Sequence, residues 1–348
     1  MNKSIALIGN FLSASLGTCG VIENLAQRLT DAGWQVVTAS DKPERLCRLL
    51  DMLATVWRRR RDYAVAQVDV YSGPSFLWAE AVCLTLKLAG KPIVLTLHGG
   101  GLPEFARQHP KRVRHLLSSA FCVTTPSSYL LEEMKIYREG LQLVPNPLDL
   151  STYNFKLREK PRPRLVWLRA FHAIYNPSLA PKALALLAHD FPEIQLVMVG
   201  PDKGDGSLGQ TKTAAAAAGV SHLIKFPGAV PKKKVPGWLK AADIFLNTTD
   251  VDNTPVSLME AMASGLCIVS TKVGGISFLL DHEQDALLVP PNDPQAMALA
   301  VRRILTEPGL GEHLSRQARR KAERFDWSVI LPQWEKLLAA AVGGSGSG

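Results

Sequence analysis

Short apolar runs alternate with longer segments of helical periodicity through most of the chain. Runs rich in Val, Ile and Leu, without polar alternation, are typical of strands buried on both faces of a parallel sheet. In the first part of the chain we predict such strands at 4–8, 35–39, 66–71, 93–97, 120–124 and 141–144. Helices are predicted between them at 20–32, 44–57, 77–88 and 127–137. The alternation predicts an α/β fold.

The alternation stops at a charged segment with two prolines, residues 156–164, and then starts again. Further strands are predicted at 165–168, 195–199, 223–226, 244–248, 267–271 and 286–289. With 348 residues, the chain therefore predicts two Rossmann-like domains, residues 1–155 and 156–327, whose parallel sheets face each other across a cleft. A last helix over 328–342, with an apolar stripe, is expected to pack back on the first domain. Residues 343–348 are Gly and Ser only, as in an expression linker.

Composition restricts the classes of partner. A net charge of +9 favours anionic partners, but the basic clusters show neither aromatic interleaving nor a recognition-helix pattern. Nucleic acid is therefore not expected. Five scattered cysteines indicate a reducing compartment, and no apolar stretch is long enough to span a membrane. We predict a cytoplasmic protein, at most peripheral on the membrane.

Two glycine-rich segments follow predicted strands of the first domain. Residues 9–20, which include Gly17 and Gly20, connect a strand to a helix. There the backbone and the helix start could approach a phosphate or a sugar, and a turn without a ligand is the alternative. His98 stands before three glycines at the end of another strand. It is a candidate for binding a sugar hydroxyl or a phosphate, and a histidine satisfied by backbone groups is the alternative.

The second domain carries the more specific pattern. Arg169 ends an apolar strand, where a guanidinium could bind a diphosphate bidentately. Thr254 is predicted as the N-cap of a helix and Pro255 as its first residue. The N–H groups of Val256, Ser257 and Leu258 would then be free at the positive end of the helix dipole, which suits a diphosphate.

Two acidic residues flank that helix start. Glu260 lies within the helix, in a position to accept hydrogen bonds from a ribose diol. Asp252 precedes the helix and could hold a transferred sugar. Gly265 is predicted to end the helix. The alternative is a capped surface helix with no ligand.

Over nearly its whole length the sequence resembles glycosyltransferase family 4 of the GT-B fold. The segment 252–265 is similar to the family's E-x7-E signature. The supporting motifs are Phe226-Pro227-Gly228, Ala242-Asp243-Ile244, Pro290-Pro291-Asn292-Asp293-Pro294, Pro145-Asn146-Pro147 and Phe325-Asp326-Trp327. The resemblance implies retaining transfer from a nucleotide diphosphate sugar to an acceptor hydroxyl, without a cofactor or a metal.

The resemblance also implies roles for single residues. Arg169 matches the diphosphate-binding arginine and Glu260 the ribose-binding glutamate. His98 matches the histidine that contacts the donor sugar, and Gly17 and Gly20 match the glycine loop beside the donor. Residues 226–230, with Gly228, are expected near the base of the nucleotide.

The chain departs from the family pattern at two positions. Asp252 replaces the first glutamate of the signature, and the family's lysine shortly after the arginine is absent. Lys203, after a neighbouring strand, is a candidate replacement. The sequence Asp250-Val251-Asp252 also spells D-x-D, a metal-binding signature of another glycosyltransferase fold. A GT-B-fold sugar-nucleotide epimerase and a catalytically weak sugar-nucleotide-binding relative are the alternative functions.

The segment 44–61 is a basic amphipathic helix in sequence. Leu46, Leu49, Leu50, Leu53, Val56 and Trp57 are expected on one side, and four arginines end it. Such a helix could lie on anionic lipid and bring a lipid-linked acceptor to the enzyme. The alternative is a domain helix whose apolar side is core and whose arginines are solvated.

Overall fold

A computed structural model describes residues 3–13 and 20–344 of the chain. The chain divides into two compact units. The first unit comprises Met1–Pro147 and Trp327–Gly348, and the second comprises Leu148–Asp326.

The first unit contains a six-stranded parallel sheet in the order β2-β1-β3-β4-β5-β6. Its strands are β1 (Ser4–Ile8), β2 (Gln35–Ala39), β3 (Val65–Val70), β4 (Ile93–Leu97), β5 (Cys122–Thr125) and β6 (Gln142–Leu143). Its helices are α1 (Val21–Asp31), α2 (Arg45–Arg58), α3 (Pro74–Leu88), α4 (Leu102–Gln108), α5 (Pro110–Ser118) and α6 (Ser128–Met134).

The second unit contains a parallel sheet of the same size in the order β12-β11-β10-β7-β8-β9. Its strands are β7 (Arg164–Leu168), β8 (Gln195–Val199), β9 (Ile224–Gly228), β10 (Ile244–Asn247), β11 (Cys267–Thr271) and β12 (Leu287–Val289). Its helices are α7 (Leu179–Ala185), α8 (Ser207–Ala217), α9 (Val235–Ala241), α10 (Val256–Ala263), α11 (Ile276–Leu279), α12 (Pro294–Thr306) and α13 (Leu310–Ala322).

All twelve predicted strands are present, and the predicted α/β class is confirmed. The central strands are buried on both faces, which explains why they read as continuous apolar runs. Each sheet reverses its strand order once, between β1 and β3 in the first unit and between β7 and β10 in the second. Ligands of doubly wound folds bind at the carboxyl ends of the strands at such a switch point.

The last helix, α14 (Trp327–Gly343), belongs to the first unit. Its buried side chains, among them Ile330, Trp334 and Leu338, pack in one cluster with residues of β1 and α1. Trp34 donates a hydrogen bond to Glu335 at 3.1 Å. The apolar stripe predicted for this helix is thus core of the first unit.

The units divide between Pro147 and Leu148, whereas the predicted boundary followed residue 155. The charged segment 156–164, predicted as a linker, packs within the second unit. Arg158 is only 2% exposed and pairs with Asp243 at 3.3 Å. Its Nη2 also donates to the carbonyl oxygen of Ala242 at 2.8 Å. A buried guanidinium must have such partners, and they tie this segment to the second unit.

Helix α2 has two apolar sides, where the sequence predicted one. Met52 and Val56 are buried in the core of the first unit. Leu46 and Leu50 are 76% and 66% exposed, and Trp57 is also exposed. In the described part of the chain, no helix combines the length and the apolar character needed to cross a membrane.

Candidate functional site

The switch point of the second unit brings two predicted site residues together. Strand β7 pairs with β10, and Arg169 follows the first strand while Asp252 lies in the loop after the second. An Arg169 Nη2–Asp252 Oδ2 ion pair joins the two side chains. The guanidinium also lies 4.3 Å from the ring centroid of Tyr175. Arg169 is thus held at the carboxyl edge of the sheet from two sides.

The loop that carries Asp252 is positioned by backbone contacts. The N–H of Gly275 donates to the carbonyl oxygen of Asp252 at 3.0 Å. A Cβ atom on Gly275 would lie 2.0 Å from the carbonyl oxygen of Asn253, so only glycine allows this approach. Burial raises the pKa of Asp252, against the effect of the Arg169 charge.

The start of α10 differs from the prediction by one residue. The N-cap is Pro255, not Thr254, and the first helical residue is Val256. The N–H of Leu258 already donates to the carbonyl oxygen of Pro255 at 3.1 Å, so it is not free. The N–H groups of Val256 and Ser257 have no acceptor among the described residues.

Two buried side-chain donors at this edge also lack partners. Arg169 Nε and Ser257 Oγ are both inaccessible to solvent and form no hydrogen bond within residues 3–13 and 20–344. Buried polar groups are nearly always paired in folded proteins, so an unpaired group needs an explanation. A bound anion with several acceptor oxygens would supply one.

Glu260 is buried in α10, 1% exposed, and has two partners that sequence reasoning missed. Tyr153 donates its hydroxyl hydrogen to Glu260 Oε1 at 2.6 Å. The ammonium group of Lys232 contacts the same oxygen. Burial and the neighbouring Glu260 carboxylate raise the pKa of the Tyr153 hydroxyl. Lys232 belongs to a visible run of three lysines, but no sequence signal identified Tyr153.

Lys203 follows β8, which pairs with β7, and Gly228 ends β9, which pairs with β8. Lys203 is exposed, and its N–H donates to the carbonyl oxygen of Phe171 at 3.2 Å, in the loop that begins with Arg169. Gly228 has a positive φ of 76°, and its carbonyl oxygen accepts from the N–H of Gly200 at 3.0 Å. Both residues therefore lie along the same carboxyl edge.

In the first unit, His98 follows β4 and contacts two side chains, Asp69 of β3 and Tyr71 directly after β3. His98 Nε2 lies 3.0 Å from Asp69 Oδ1, and its ring stacks on Tyr71 with centroids 5.0 Å apart. Gln67 donates to the same Asp69 oxygen at 2.8 Å. His98 therefore has a side-chain carboxylate as its partner, and sequence reasoning missed Asp69.

The predicted glycine loop can be assessed only in part, because Gly17 lies outside the described residues. Gly20 is the N-cap of α1, and its N–H donates to Glu23 Oε2 at 2.6 Å. The other carboxylate oxygen of Glu23 accepts from the N–H of Ser13 at 2.9 Å. The N–H of Gly20 is therefore bound by the helix's own Glu23, and the binding of a ligand by this loop stays a prediction.

The chain is similar to known proteins in sequence and in fold. Residues 152–321 match the family model described as "Glycosyl transferases group 1". The D-inositol 3-phosphate glycosyltransferase of Thermobispora bispora is 22% identical over 347 residues, covering 91% of this chain and 80% of that protein. Sucrose-phosphate synthase from Thermosynechococcus elongatus has a TM-score of 0.76 at 18% identity, covering 98% of this chain and 100% of the other.

A second structure is HepE from Anabaena in complex with UDP, with a TM-score of 0.76 at 17% identity, covering 97% and 100% of the two chains. A complex of the same protein with UDP-glucose has a TM-score of 0.73. Two Rossmann-like sheets and these structural likenesses define a protein of the GT-B fold class. The predicted resemblance to the group 1 glycosyltransferases is confirmed, and the chain is a glycosyltransferase.

Proposed function

We propose that this enzyme transfers a sugar from a nucleotide diphosphate sugar to an acceptor hydroxyl, with retention of the anomeric configuration. We place the reaction in polysaccharide, glycolipid or glycoconjugate synthesis in the cytoplasm. One observation carries the donor assignment: Arg169 Nε and Ser257 Oγ are buried donors without partners among the described residues, and the N–H groups of Val256 and Ser257 at the start of α10 are also unpaired. A diphosphate offers acceptors for all of them. The UDP and UDP-glucose complexes of HepE support this assignment.

In the proposed reaction the bond between the anomeric carbon and the diphosphate oxygen breaks, and its electron pair stays on the diphosphate. Arg169 and the start of α10 stabilise the charge that develops there. The acceptor oxygen bonds to the anomeric carbon on the same face, and the departing phosphate takes the acceptor's proton. The donor sugar is proposed to contact Asp252 and His98.

We propose that no metal or other cofactor takes part. The carboxylates of the D-x-D sequence have separate partners, which supports this proposal. Asp250 accepts a hydrogen bond from Asn176 at 3.3 Å, whereas Asp252 pairs with Arg169. Activity that is unchanged by EDTA, and not raised by added Mg²⁺ or Mn²⁺, is the expected result.

Lys203 is proposed to replace the lysine that the family pattern carries after the arginine. Its position beside the loop that follows Arg169 supports this proposal. Lys203→Ala should lower kcat, and the exposed Lys240→Ala of α9 is a matched control from the same unit. Unchanged turnover in Lys203→Ala would exclude the replacement.

The exposed side of α2 supports a peripheral contact with anionic lipid and a lipid-linked acceptor. Leu46, Leu50 and Trp57 are exposed, and Arg58–Arg61 follow them. Apolar side chains beside arginines suit the surface of an anionic bilayer. Phosphatidylglycerol vesicles should float the wild-type protein, and Leu46→Ser with Leu50→Ser should abolish flotation. No flotation of the wild type at low salt would contradict the membrane proposal.

Release of nucleoside diphosphate, measured over a panel of nucleotide sugars, tests the proposed function. We expect one donor to give release that increases with a suitable acceptor. Anomeric configuration of the product, determined by NMR, tests retention. Tight nucleotide binding without release from any donor would instead indicate a sugar-nucleotide-binding relative.

A further inference from the structure

The switch point of the first unit holds a cavity that none of the proposed donor residues line. Its volume is about 230 Å³, and it opens at the carboxyl ends of β1 and β3. Apolar side chains from β1, β3, α2 and α3 form its walls, with Asn10, Arg45, Arg48, Asp69, Tyr71, Ser75 and Trp78 as its polar and aromatic lining. A polar cavity at this place in a doubly wound sheet is the expected position of a ligand.

Arg48 is the buried arginine of this cavity. It is 9% exposed, and three oxygens fix its guanidinium: the carbonyl oxygens of Lys42 and Pro43, at 2.7 and 2.6 Å, and Asn10 Oδ1 at 3.0 Å. The guanidinium also lies 5.9 Å from the ring centroid of Trp78. All three oxygens are neutral, so the positive charge of Arg48 has no counter-ion among the described residues.

Arg45 adds a second guanidinium to the lining and likewise forms no ion pair within the part of the chain that the structure describes. The only acidic side chain of the lining is Asp69, which already accepts from Gln67 at 2.8 Å and lies 3.0 Å from His98. Two arginines without counter-ions in one cavity favour an anion with several oxygens, because guanidinium geometry matches phosphate.

The remaining lining indicates what the anion is attached to. The indole of Trp78 and the ring of Tyr71 are flat surfaces, and Ser75 supplies a hydroxyl. Aromatic faces and hydroxyl groups suit a sugar ring, which has apolar C–H faces and polar edges. The cavity is smaller than the roughly 300–1,000 Å³ of pockets for drug-sized ligands, so it suits one phosphorylated sugar.

We infer that this cavity binds the acceptor of the transfer through a phosphate group on the acceptor. The inference rests on the proposed function, since it identifies the acceptor class of the same enzyme. Either a free sugar phosphate or a lipid-linked phosphate presents this chemistry. The exposed Leu46 and Leu50, which follow Arg45 in α2, favour the lipid-linked source.

Calorimetric titration with glucose 1-phosphate, glucose and inorganic phosphate tests this inference. The protein is first saturated with UDP, so that the proposed donor site is occupied. Glucose 1-phosphate should bind at least about ten-fold more tightly than glucose. Arg48→Gln and Arg45→Gln should each remove most of that preference, whereas Arg114→Gln, an exposed arginine of the same unit, should keep it. Arg45→Gln guards against a folding defect, because Arg45 is exposed and Arg48 is buried.

Equal affinity for glucose and glucose 1-phosphate would overturn the inference. So would a loss of the preference for glucose 1-phosphate in Arg114→Gln as large as that in Arg45→Gln and Arg48→Gln. Failure of the donor proposal has a different signature: UDP would not bind, while the preference for glucose 1-phosphate would persist.

Phosphatidylcholine vesicles with and without polyprenyl phosphate distinguish a lipid-linked phosphate from a free sugar phosphate. Binding that requires polyprenyl phosphate and is lost in Arg45→Gln indicates the lipid source, and binding of glucose 1-phosphate alone indicates the free one. Either result supports the phosphate group.

Discussion

The switch points of the two sheets both carry an arginine, but the two arginines are held differently. Arg169 in the second unit forms an ion pair with Asp252, whereas Arg48 in the first unit is held by neutral oxygens only. The second site also has a helix start with unpaired N–H groups, whereas the cations of the first-unit cavity are the side chains of Arg45 and Arg48. A helix start and an arginine therefore make up the proposed diphosphate site, and two arginines make up the proposed site of the first unit.

The largest effect expected from this comparison is that of Arg169→Ala. Without the guanidinium, charge on the leaving diphosphate loses its main side-chain partner, and kcat should fall about 10²–10³-fold. Steady-state release of nucleoside diphosphate measures this. Arg302→Ala, which removes a surface arginine of the same unit, is the matched control and should leave kcat unchanged. A loss of less than about ten-fold in Arg169→Ala would contradict the assignment of Arg169 to the leaving diphosphate.

His98→Ala should have the next largest effect and tests whether the first unit contributes to turnover. Loss of a hydrogen bond to the donor sugar should lower kcat about ten-fold or more. Asp69→Asn should lower kcat less, because Asp69 acts through His98. His115→Ala, from an exposed position in α5, is the control. An unchanged kcat in His98→Ala would limit the first unit to acceptor binding.

Tyr153→Phe should raise the KM for the donor and leave kcat nearly unchanged. The hydroxyl of Tyr153 donates to Glu260 Oε1, and without it the carboxylate loses its orientation toward a ribose. Loss of a hydrogen bond to a charged group should raise KM about ten-fold. KM values for the nucleotide sugar and for its 2′-deoxy analogue measure the effect, with Tyr137→Phe as the control. Equal KM changes for both compounds would show that Glu260 does not bind the 2′-hydroxyl of the ribose.

The smallest effect expected is on stability against acid. Hydrogen bonds from Ser207 and from the N–H of Ala173 lower the pKa of Asp205 to about 2. Because the pKa of Asp205 is depressed in the folded state, its contribution to the stability of the fold is fully present above a pH of about 4, the ordinary pKa of an aspartate. It is lost as the pH falls from about 4 to about 2. The difference in Tm between the wild type and Asp205→Asn should therefore shrink over that range, and a constant difference would contradict the assignment.

The fold was predictable because its signal is periodic and repeated. Twelve apolar runs separated by helical segments indicate parallel α/β units, and each run is a strand in the structure. The boundary between the units was less predictable, because a charged segment with prolines resembles a linker. Only the packed structure shows that Arg158 is buried with Asp243, so that this segment is part of the second unit's packing and not a free linker.

The two sites differ in the same way. Residues around the start of α10 lie close together in the chain, and a Pro at a helix start with a glutamate further along is visible in the sequence. Tyr153 and Lys232 reach Glu260 from other segments, and Asp69 reaches His98 from a neighbouring strand. Such contacts have no local spacing rule, so sequence reasoning missed them.

The sequence by itself determined the class of fold, the family and the position of the helix that starts the donor site, because periodicity and helix-start signals are local properties of the chain. The tertiary structure decided which side chains hold the ligand-binding groups. Tyr153 and Glu260 are far apart in the chain, as are Arg48 and Asn10, and each pair meets only in the folded unit. The carboxyl edge of the second unit's sheet brings Arg169 to Asp252, and the carboxyl edge of the first unit's sheet carries the cavity.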